Sequence, residues 1–316
     1  VYASYRINFH PKYTFNTGLR YSFGVVNADF NSRFFPFPYT NYNLKDGAPT
    51  GNLGLVFRPT QTWQINGNIS SGFRMPNIDD MGKLFESSPG NVTVPNPNLE
   101  SEYAWSFEMG VVKHLPGKVR VEINAFHSIL NNAIVRRPYS FNGQDSIFFD
   151  GAKSRVEALQ NVGQAIVWGI QAMAEVWFAR QFSAFTFLNY INGNETDDAR
   201  NVQVPLRHAP PFYGSSGLRY QLRGFRAELN AQYNAEVSNE NLPPSEQTKT
   251  AIYATDENGK PYSPGWYTLN LRGSYAFGNA TIGFGWENIT NQRYRPFSSG
   301  IVSPGSNFIL SFRYGW

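Results

Sequence analysis

Arginines and glutamates that alternate with apolar residues are the side chains with the most chemistry to offer in this sequence. Many of them fall on the polar positions of alternating segments, and eight, of both signs, are the main candidates: Glu102, Glu108, Arg120, Arg219, Arg226, Glu228, Arg272 and Glu287. Interleaved charges of opposite sign pair across neighbouring β-strands and keep a wall hydrated. We therefore predict that these residues form a polar wall rather than a reactive centre.

A second set of candidates lies in the segments between the alternating stretches. Arginine forks suit carboxylate and catecholate oxygens, so an anionic ligand such as a ferric chelate is the chemistry they favour. Two interpretations of the aromatic segment at 33–42 stay open: it caps an apolar ligand, or it packs on neighbouring loops. The predicted ligand-binding residues are Phe35, Tyr39, Arg74, Arg136, Arg137, Tyr139, Arg207, His208 and Arg295.

Catalysis and resident metal binding find no support in the sequence. The histidines at 10, 114, 127 and 208 do not have the spacing of a metal site, and cysteine is absent. No nucleophile–base pair can be assembled, so we predict neither an enzyme nor a cofactor, although a transported ligand could carry iron. The net charge of +4 is mild and no basic run is present, which argues against nucleic acid as a partner.

The hairpin at 267–288 shows which elements position these side chains. Apolar residues such as Leu271 alternate with polar ones on both sides of a Gly-Asn turn at 278–279. Period-2 alternation around such a turn predicts a β-hairpin. Its two charged residues, Arg272 and Glu287, fall on the same face, and the other face carries no charge.

The alternation recurs along the chain and predicts thirteen strands. Each is roughly 9–13 residues long, as a tilted strand needs to be to cross a bilayer, whereas no apolar run reaches the roughly 20 residues of a transmembrane helix. A soluble sandwich explains the pattern of one strand, but not the strict alternation of tight turns with long loops, which is typical of outer-membrane barrels. The predicted fold class is all-β, an antiparallel transmembrane β-barrel.

Strand parity leads to an expectation about completeness. Single-chain bacterial barrels have an even number of strands with both termini on the periplasmic side. The last predicted strand ends at the short-turn rim, whereas the first begins at the long-loop rim. We therefore expect residues 1–316 to be the C-terminal part of one barrel domain, completed by additional polypeptide from the same gene product or from a separate chain.

Several motifs, taken in order, resemble the TonB-dependent outer-membrane receptor family. They are GFRMP at 72–76, PNPNLESE at 95–102, QNVGQAIVWGIQ at 160–171, ENITNQRYRPF at 287–297 and SPGSNF at 303–308. The resemblance implies a 22-stranded barrel closed by an N-terminal plug, of which the thirteen strands would be the last. The eight wall residues would then contact the plug, and Trp316 would end the strand by which the assembly machinery recognises such barrels.

The resemblance also implies a function and a location. We expect an energy-coupled receptor in the bacterial outer membrane, surrounded by lipid and lipopolysaccharide, that imports a scarce ligand such as a ferric siderophore or a similar iron chelate. A TonB-type protein would supply energy through a segment that precedes the plug. Haem, cobalamin, glycan or peptide import and a passive porin or structural barrel stay open as alternatives. No histidine lies between Arg74 and Asn96, where related haem receptors usually carry one, which disfavours haem.

Overall fold

A computed structural model describes residues 1–33, 35–197 and 202–315. Trp316, for which the sequence predicts a role in membrane assembly, lies outside the described residues. The strands are β1 (Tyr2–His10), β2 (Tyr13–Asp29), β3 (Asn41–Thr60), β4 (Trp63–Arg74), β5 (Phe85–Ser88), β6 (Asn91–Val94), β7 (Glu102–Leu115), β8 (Val119–Pro138), β9 (Ser146–Phe149), β10 (Ala152–Trp177), β11 (Phe182–Asp197), β12 (Val202–Pro205), β13 (Tyr213–Leu222), β14 (Phe225–Asn234), β15 (Ala254–Thr255), β16 (Pro261–Tyr262), β17 (Trp266–Phe277), β18 (Ala280–Glu287) and β19 (Asn307–Tyr314). A helix, α1 (Ile78–Gly82), and a 3₁₀ turn, Asn239–Asn241, lie between strands.

The long strands form one antiparallel sheet in which each pairs with the next long strand along the chain. Their order is β1, β2, β3, β4, β7, β8, β10, β11, β13, β14, β17, β18 and β19. The number and order of the thirteen predicted strands are confirmed. Within the described residues β1 pairs only with β2 and β19 only with β18, and both of these edge strands are exposed along their length.

The register of the strands divides the sheet into two faces. Leu229 pairs with Leu271 on one face, and one residue along Glu228 pairs with Arg272 on the other. We call these the apolar face and the polar face. Leu229 and Phe284 are 47% and 43% exposed, whereas the core of a soluble sandwich would bury such side chains. The apolar face therefore has the character of a lipid-contacting surface, as predicted.

Two clusters of buried apolar residues lie at the loop end of the sheet, where strand ends and loops pack together. One cluster consists of Val92, Val94, Phe141, Val156 and Ala158, and a second of Tyr42, Met81 and Leu99. These clusters give the loops cores of their own, so the loops can hold fixed binding surfaces. Among the described residues, no helix has the length and apolar character needed to span a membrane.

Several predicted loops are partly ordered as strand or helix. The segment at 131–160 shows no apolar alternation, so the sequence predicts one long loop there. In the structure β8 continues to Pro138 and β10 begins at Ala152, which leaves a much shorter loop. The segment at 75–101 contains α1, whose capping residue Asn77 accepts backbone hydrogen bonds from Asp79 and Asp80, and a hairpin of β5 and β6. These extensions lack apolar alternation because backbone pairing alone sustains a strand outside a bilayer, so periodicity does not reveal them.

Candidate functional site

The polar face between β11 and β17 is built in rows that the strand register sets. Rows on one face are two residues apart, or about 6.6 Å. From the loop side to the turn side, the rows are Asn189, Tyr213, Asn234 and Trp266; then Phe187, Ser215, Gln232 and Thr268; then Phe185, Gly217, Asn230 and Asn270; then Ser183, Arg219, Glu228 and Arg272. Charged residues therefore lie near the turns, and amide, hydroxyl and aromatic groups lie near the loops.

A cavity of about 570 Å³, which we call the chamber, lies against the two rows nearest the loops. Its lining comprises Phe187, Asn189, His208, Pro210, Tyr213, Gly214, Ser215, Gln232, Tyr233, Asn234, Trp266, Pro296 and Phe297. Among the described residues, no arginine, lysine or carboxylate lines it. The volume is typical of small-molecule sites, so the chamber can hold a compact ligand beneath the loops.

His208 is the chamber residue whose charge could change near neutral pH. Burial lowers the pKa of its imidazole, and the neighbouring positive charge of Arg207 lowers it further. The ring is therefore predominantly neutral at pH 7, because the ordinary histidine pKa is about 6.5. At that pH the whole lining of the chamber is uncharged.

Trp266 offers the chamber an aromatic ring, whereas its indole N–H is buried. Its ring centroid lies 4.1 Å from that of Tyr294, and its buried indole Nε1 has no hydrogen-bond partner among the described residues. Tyr294 belongs to a loop pinned by Asn288, whose side-chain amide donates to the carbonyls of Gln292 (2.9 Å) and Pro304 (3.1 Å). Leaving a buried donor unsatisfied costs about 1–3 kcal/mol, and the burial of this N–H keeps it out of contact with the chamber.

A buried carboxylate fastens the roof of the chamber. Glu246 is fully buried and accepts hydrogen bonds from Arg207 Nε at 2.6 Å, from Ser298 Oγ at 3.3 Å and from the Tyr253 hydroxyl. We call these four residues the Glu246 clamp. Arg295 adds to it by donating to the carbonyls of Ala251 and Ile252 at 3.2 and 3.0 Å. Three separate loop segments are thereby joined over the chamber.

Most of the arginines predicted to bind ligand are engaged within the protein. Arg74 forms ion pairs with Asp80 and Glu102, each at 2.5 Å, and Arg137 pairs with Glu195 at 2.7 Å. Arg74 and Glu102 belong to two of the sequence motifs, so this pair joins the GFRMP and PNPNLESE segments. The role of these arginines in ligand binding stays a prediction.

Arg136 differs from the other predicted arginines. Its buried Nε has no hydrogen-bond partner among the described residues, and its guanidinium lies 5.3 Å from the centroid of the Phe85 ring. The nearby Lys249 is 8% exposed, and burial, followed by the charge of Arg207, lowers the pKa of its ammonium. Neither cation lines the chamber.

The aromatic residues predicted to bind ligand pack on neighbouring loops. The Tyr39 hydroxyl donates to the Pro95 carbonyl at 2.7 Å, and the ring centroids of Phe35 and Phe141 are 5.4 Å apart. Phe35 and Tyr139 both pack against the cluster that contains Phe141. These contacts agree with packing on neighbouring loops, and a role of Phe35, Tyr39 and Tyr139 in ligand binding stays a prediction.

The predicted wall residues form ion pairs on the polar face. Arg219 donates to Glu228 at 2.8 Å and to Glu175 at 3.0 Å, and its guanidinium carbon lies 3.9 Å from the centroid of the Phe185 ring. Phe185 breaks the alternation because it is an apolar residue on the polar face. Its stacking on Arg219 explains this position. Arg272 pairs with Glu287 at 2.6 Å.

The remaining predicted wall residues differ in their ion pairs and in their exposure. Arg120 pairs with Glu122 at 2.5 Å, Glu108 and Arg226 are exposed, and Glu102 lies at the loop end with Arg74. Contact of this wall with a plug stays a prediction. In the described part of the chain, no three His, Cys, Asp or Glu side chains are grouped as they would be to hold a metal ion.

The sequence reasoning missed the chamber itself. Its signal was present in β14, where Asn230, Gln232 and Asn234 occupy successive polar-face positions without a charge. A run of amides at period two marks a neutral strip on an otherwise charged wall.

Comparisons with known proteins agree with this architecture. A family profile described as "TonB dependent receptor-like, beta-barrel" matches residues 1–289. The copper transporter OprC superposes with a TM-score of 0.77 at 15% identity, covering 99% of this chain and 46% of OprC. A mutant of the ferric enterobactin receptor PfeA from Pseudomonas aeruginosa, in complex with enterobactin, gives 0.68 at 15% identity, covering 98% and 44%.

A shorter sequence match concerns another outer-membrane protein. Over 166 residues, 45% of this chain, the sequence is 28% identical to the outer membrane usher protein FimD of Escherichia coli strain K12, and the match covers 18% of FimD. The chain spans less than half the length of each of these relatives. Because the family profile covers most of its residues, the chain belongs to the TonB-dependent receptor family and forms part of a β-barrel in the outer membrane.

Proposed function

We propose that this chain is the ligand-receiving part of an energy-coupled receptor that imports a scarce ligand, a ferric siderophore or a similar iron chelate. The observation that carries the proposal is the chamber, which lies on the polar face beneath clamped loops and has the volume of a small-molecule site. A plug and further strands, contributed by additional polypeptide, would complete the barrel, and a TonB-type protein would supply the energy.

Two further observations support an importer of compact chelates. The wall below the chamber is charged and internally paired, as in the Arg219–Glu228 and Arg272–Glu287 pairs, which suits contact with a polar plug. The similar fold of a ferric enterobactin receptor and of a copper transporter makes metal uptake the function to test first.

Uptake of radioactive iron tests the proposal. The full-length receptor is produced in cells that lack their own siderophore receptors, in one strain with the coupling protein and in a matched strain without it. We expect chelate-dependent iron uptake only in the coupled strain, and none after the proton-motive force is collapsed. Equal uptake in both strains would identify a passive pore and contradict the proposal.

A further inference from the structure

We propose that the chamber selects an electrically neutral ferric chelate, of the hydroxamate type, over a multiply anionic catecholate chelate. This inference rests on the proposed function and deepens it. Three hydroxamates neutralise Fe(III), whereas three catecholates leave a trianion. A trianionic chelate therefore needs cations in the site, whereas a neutral chelate needs none.

The lining of the chamber meets the demands of a neutral ligand. It offers the amides of Asn189 and Gln232, the hydroxyl of Ser215, and aromatic rings, with no cation among its described residues. An anion that enters such a lining loses hydration without gaining a counter-charge, which is costly. A neutral chelate loses much less and gains contact with amides and rings.

The charged side chains nearest the chamber do not line it. Glu228 lies four residues below Gln232 on the same strand, or about 13 Å, which exceeds the screening length of about 8 Å at physiological salt. It is paired with Arg219. On the roof, the guanidinium of Arg207 is held by the carboxylate of Glu246. Arg207 and Arg219 each already face a carboxylate. Arg136 and Lys249, whose charges act on His208, are not among the residues that line the chamber.

One hydrogen-bonding group without a protein partner lines the chamber. Gln232 is exposed, and its side-chain amide forms no hydrogen bond with another described residue. Hydroxamate chelates carry amide carbonyls and N–O oxygens that accept hydrogen bonds from an amide. The recognition chemistry is therefore that of neutral acceptors against amide donors.

Equilibrium binding to the purified full-length receptor tests the inference, with quenching of tryptophan fluorescence as the readout. The probes are ferrichrome, a neutral tris-hydroxamate chelate, and ferric enterobactin, a trianionic tris-catecholate. We expect ferrichrome to bind at least about tenfold more tightly, with an affinity that changes less than about twofold between low and high salt. Tighter, salt-sensitive binding of the catecholate would overturn the inference and leave the proposed function standing. Binding of neither chelate would contradict both.

A pair of matched variants locates the binding. Gln232→Leu removes an amide from the chamber, and Gln221→Leu makes the same change on the neighbouring strand near the turns, where Gln221 pairs with Arg226. Loss of one hydrogen bond predicts roughly five- to tenfold weaker ferrichrome binding for Gln232→Leu, with wild-type affinity for Gln221→Leu. Equal affinities for Gln232→Leu and Gln221→Leu would place the ligand elsewhere and overturn the inference.

Discussion

Substitution of Glu246 by glutamine should loosen the roof of the chamber without disturbing the barrel wall. Glutamine keeps the shape of the side chain and an oxygen that can accept from Arg207 Nε. Its amide nitrogen can donate to the Tyr253 hydroxyl, which then acts as acceptor. The change therefore removes the negative charge from the Glu246 clamp and little else, which isolates the electrostatic contribution.

The expected loss of free energy follows from the number of hydrogen bonds to Glu246 and from their exposure to solvent. Hydrogen bonds to charged groups contribute about 1.5–3 kcal/mol, against about 0.5–1.5 kcal/mol for neutral ones. Two strong bonds, from Arg207 and Tyr253, lose their charge assistance, but the Arg207 side chain is 29% exposed and is partly screened. We therefore expect a local loss of about 1–2 kcal/mol, which is roughly a tenfold rise in the open fraction of the roof.

Hydrogen exchange of the full-length receptor measures this opening. The Tyr253 amide donates to the carbonyl of Lys249 at 3.2 Å and the Ser299 amide to that of Pro296 at 3.1 Å, so both report on the roof. We expect both to exchange about tenfold faster in Glu246→Gln, while amides of β17 stay unchanged. Glu257→Gln is the control, because Glu257 lies in the same loop, is exposed and forms no hydrogen bond or ion pair with described residues. Exchange rates in Glu246→Gln equal to those of this control would refute the reasoning.

Three further predictions concern the wall, the roof and the assembly. Leu229→Arg, on the apolar face, should destabilise the bilayer-folded protein by about 2–4 kcal/mol if Leu229 lies near the midplane, whereas Gln232→Arg on the polar face should cost much less; equal losses in bilayer unfolding titrations would count against the assignment of faces. The pKa of His208 is lowered in the closed roof, so the open form binds the proton more tightly. The roof amides are therefore fully protected from hydrogen exchange above about pH 6.5, and this protection is lost as the pH falls below that value. The loss should disappear in His208→Gln, and its persistence in the variant would contradict the assignment. Mass spectrometry of the folded assembly in detergent should reveal polypeptide additional to the 35.7 kDa of this chain, and a lone folded 35.7 kDa species would exclude a barrel completed by other strands.

The sequence predicted the sheet well because one physical constraint governs all of it. A strand with lipid on one side and water on the other must alternate, and the pairing of Leu229 with Leu271 beside that of Glu228 with Arg272 is the outcome. Beyond the bilayer this constraint ends. The upper part of β8 and the helix α1 were therefore not predicted, since backbone pairing and the Asn77 cap specify them without apolar periodicity.

The candidate site was predicted less completely, for a reason that concerns distance along the chain. Arg207 and Arg295 were correctly placed among the loops, but their partners lie 39 to 44 residues away in sequence, with Glu246 and with the carbonyls of Ala251 and Ile252. Composition shows that an arginine is present, not whether a remote carboxylate already neutralises it. The chamber emerges only when the register aligns Gln232 with Ser215 and Thr268.

The position of bound iron tests the central claim most directly. Crystals of the full-length receptor soaked with ferrichrome give an anomalous signal from iron, which marks the chelate without reference to its organic part. The account predicts an iron peak inside the chamber, with chelate oxygens within hydrogen-bonding distance of Gln232. An iron peak beside Arg136 and Lys249 with the chamber empty, or no peak at a concentration at which iron uptake is observed, would contradict it.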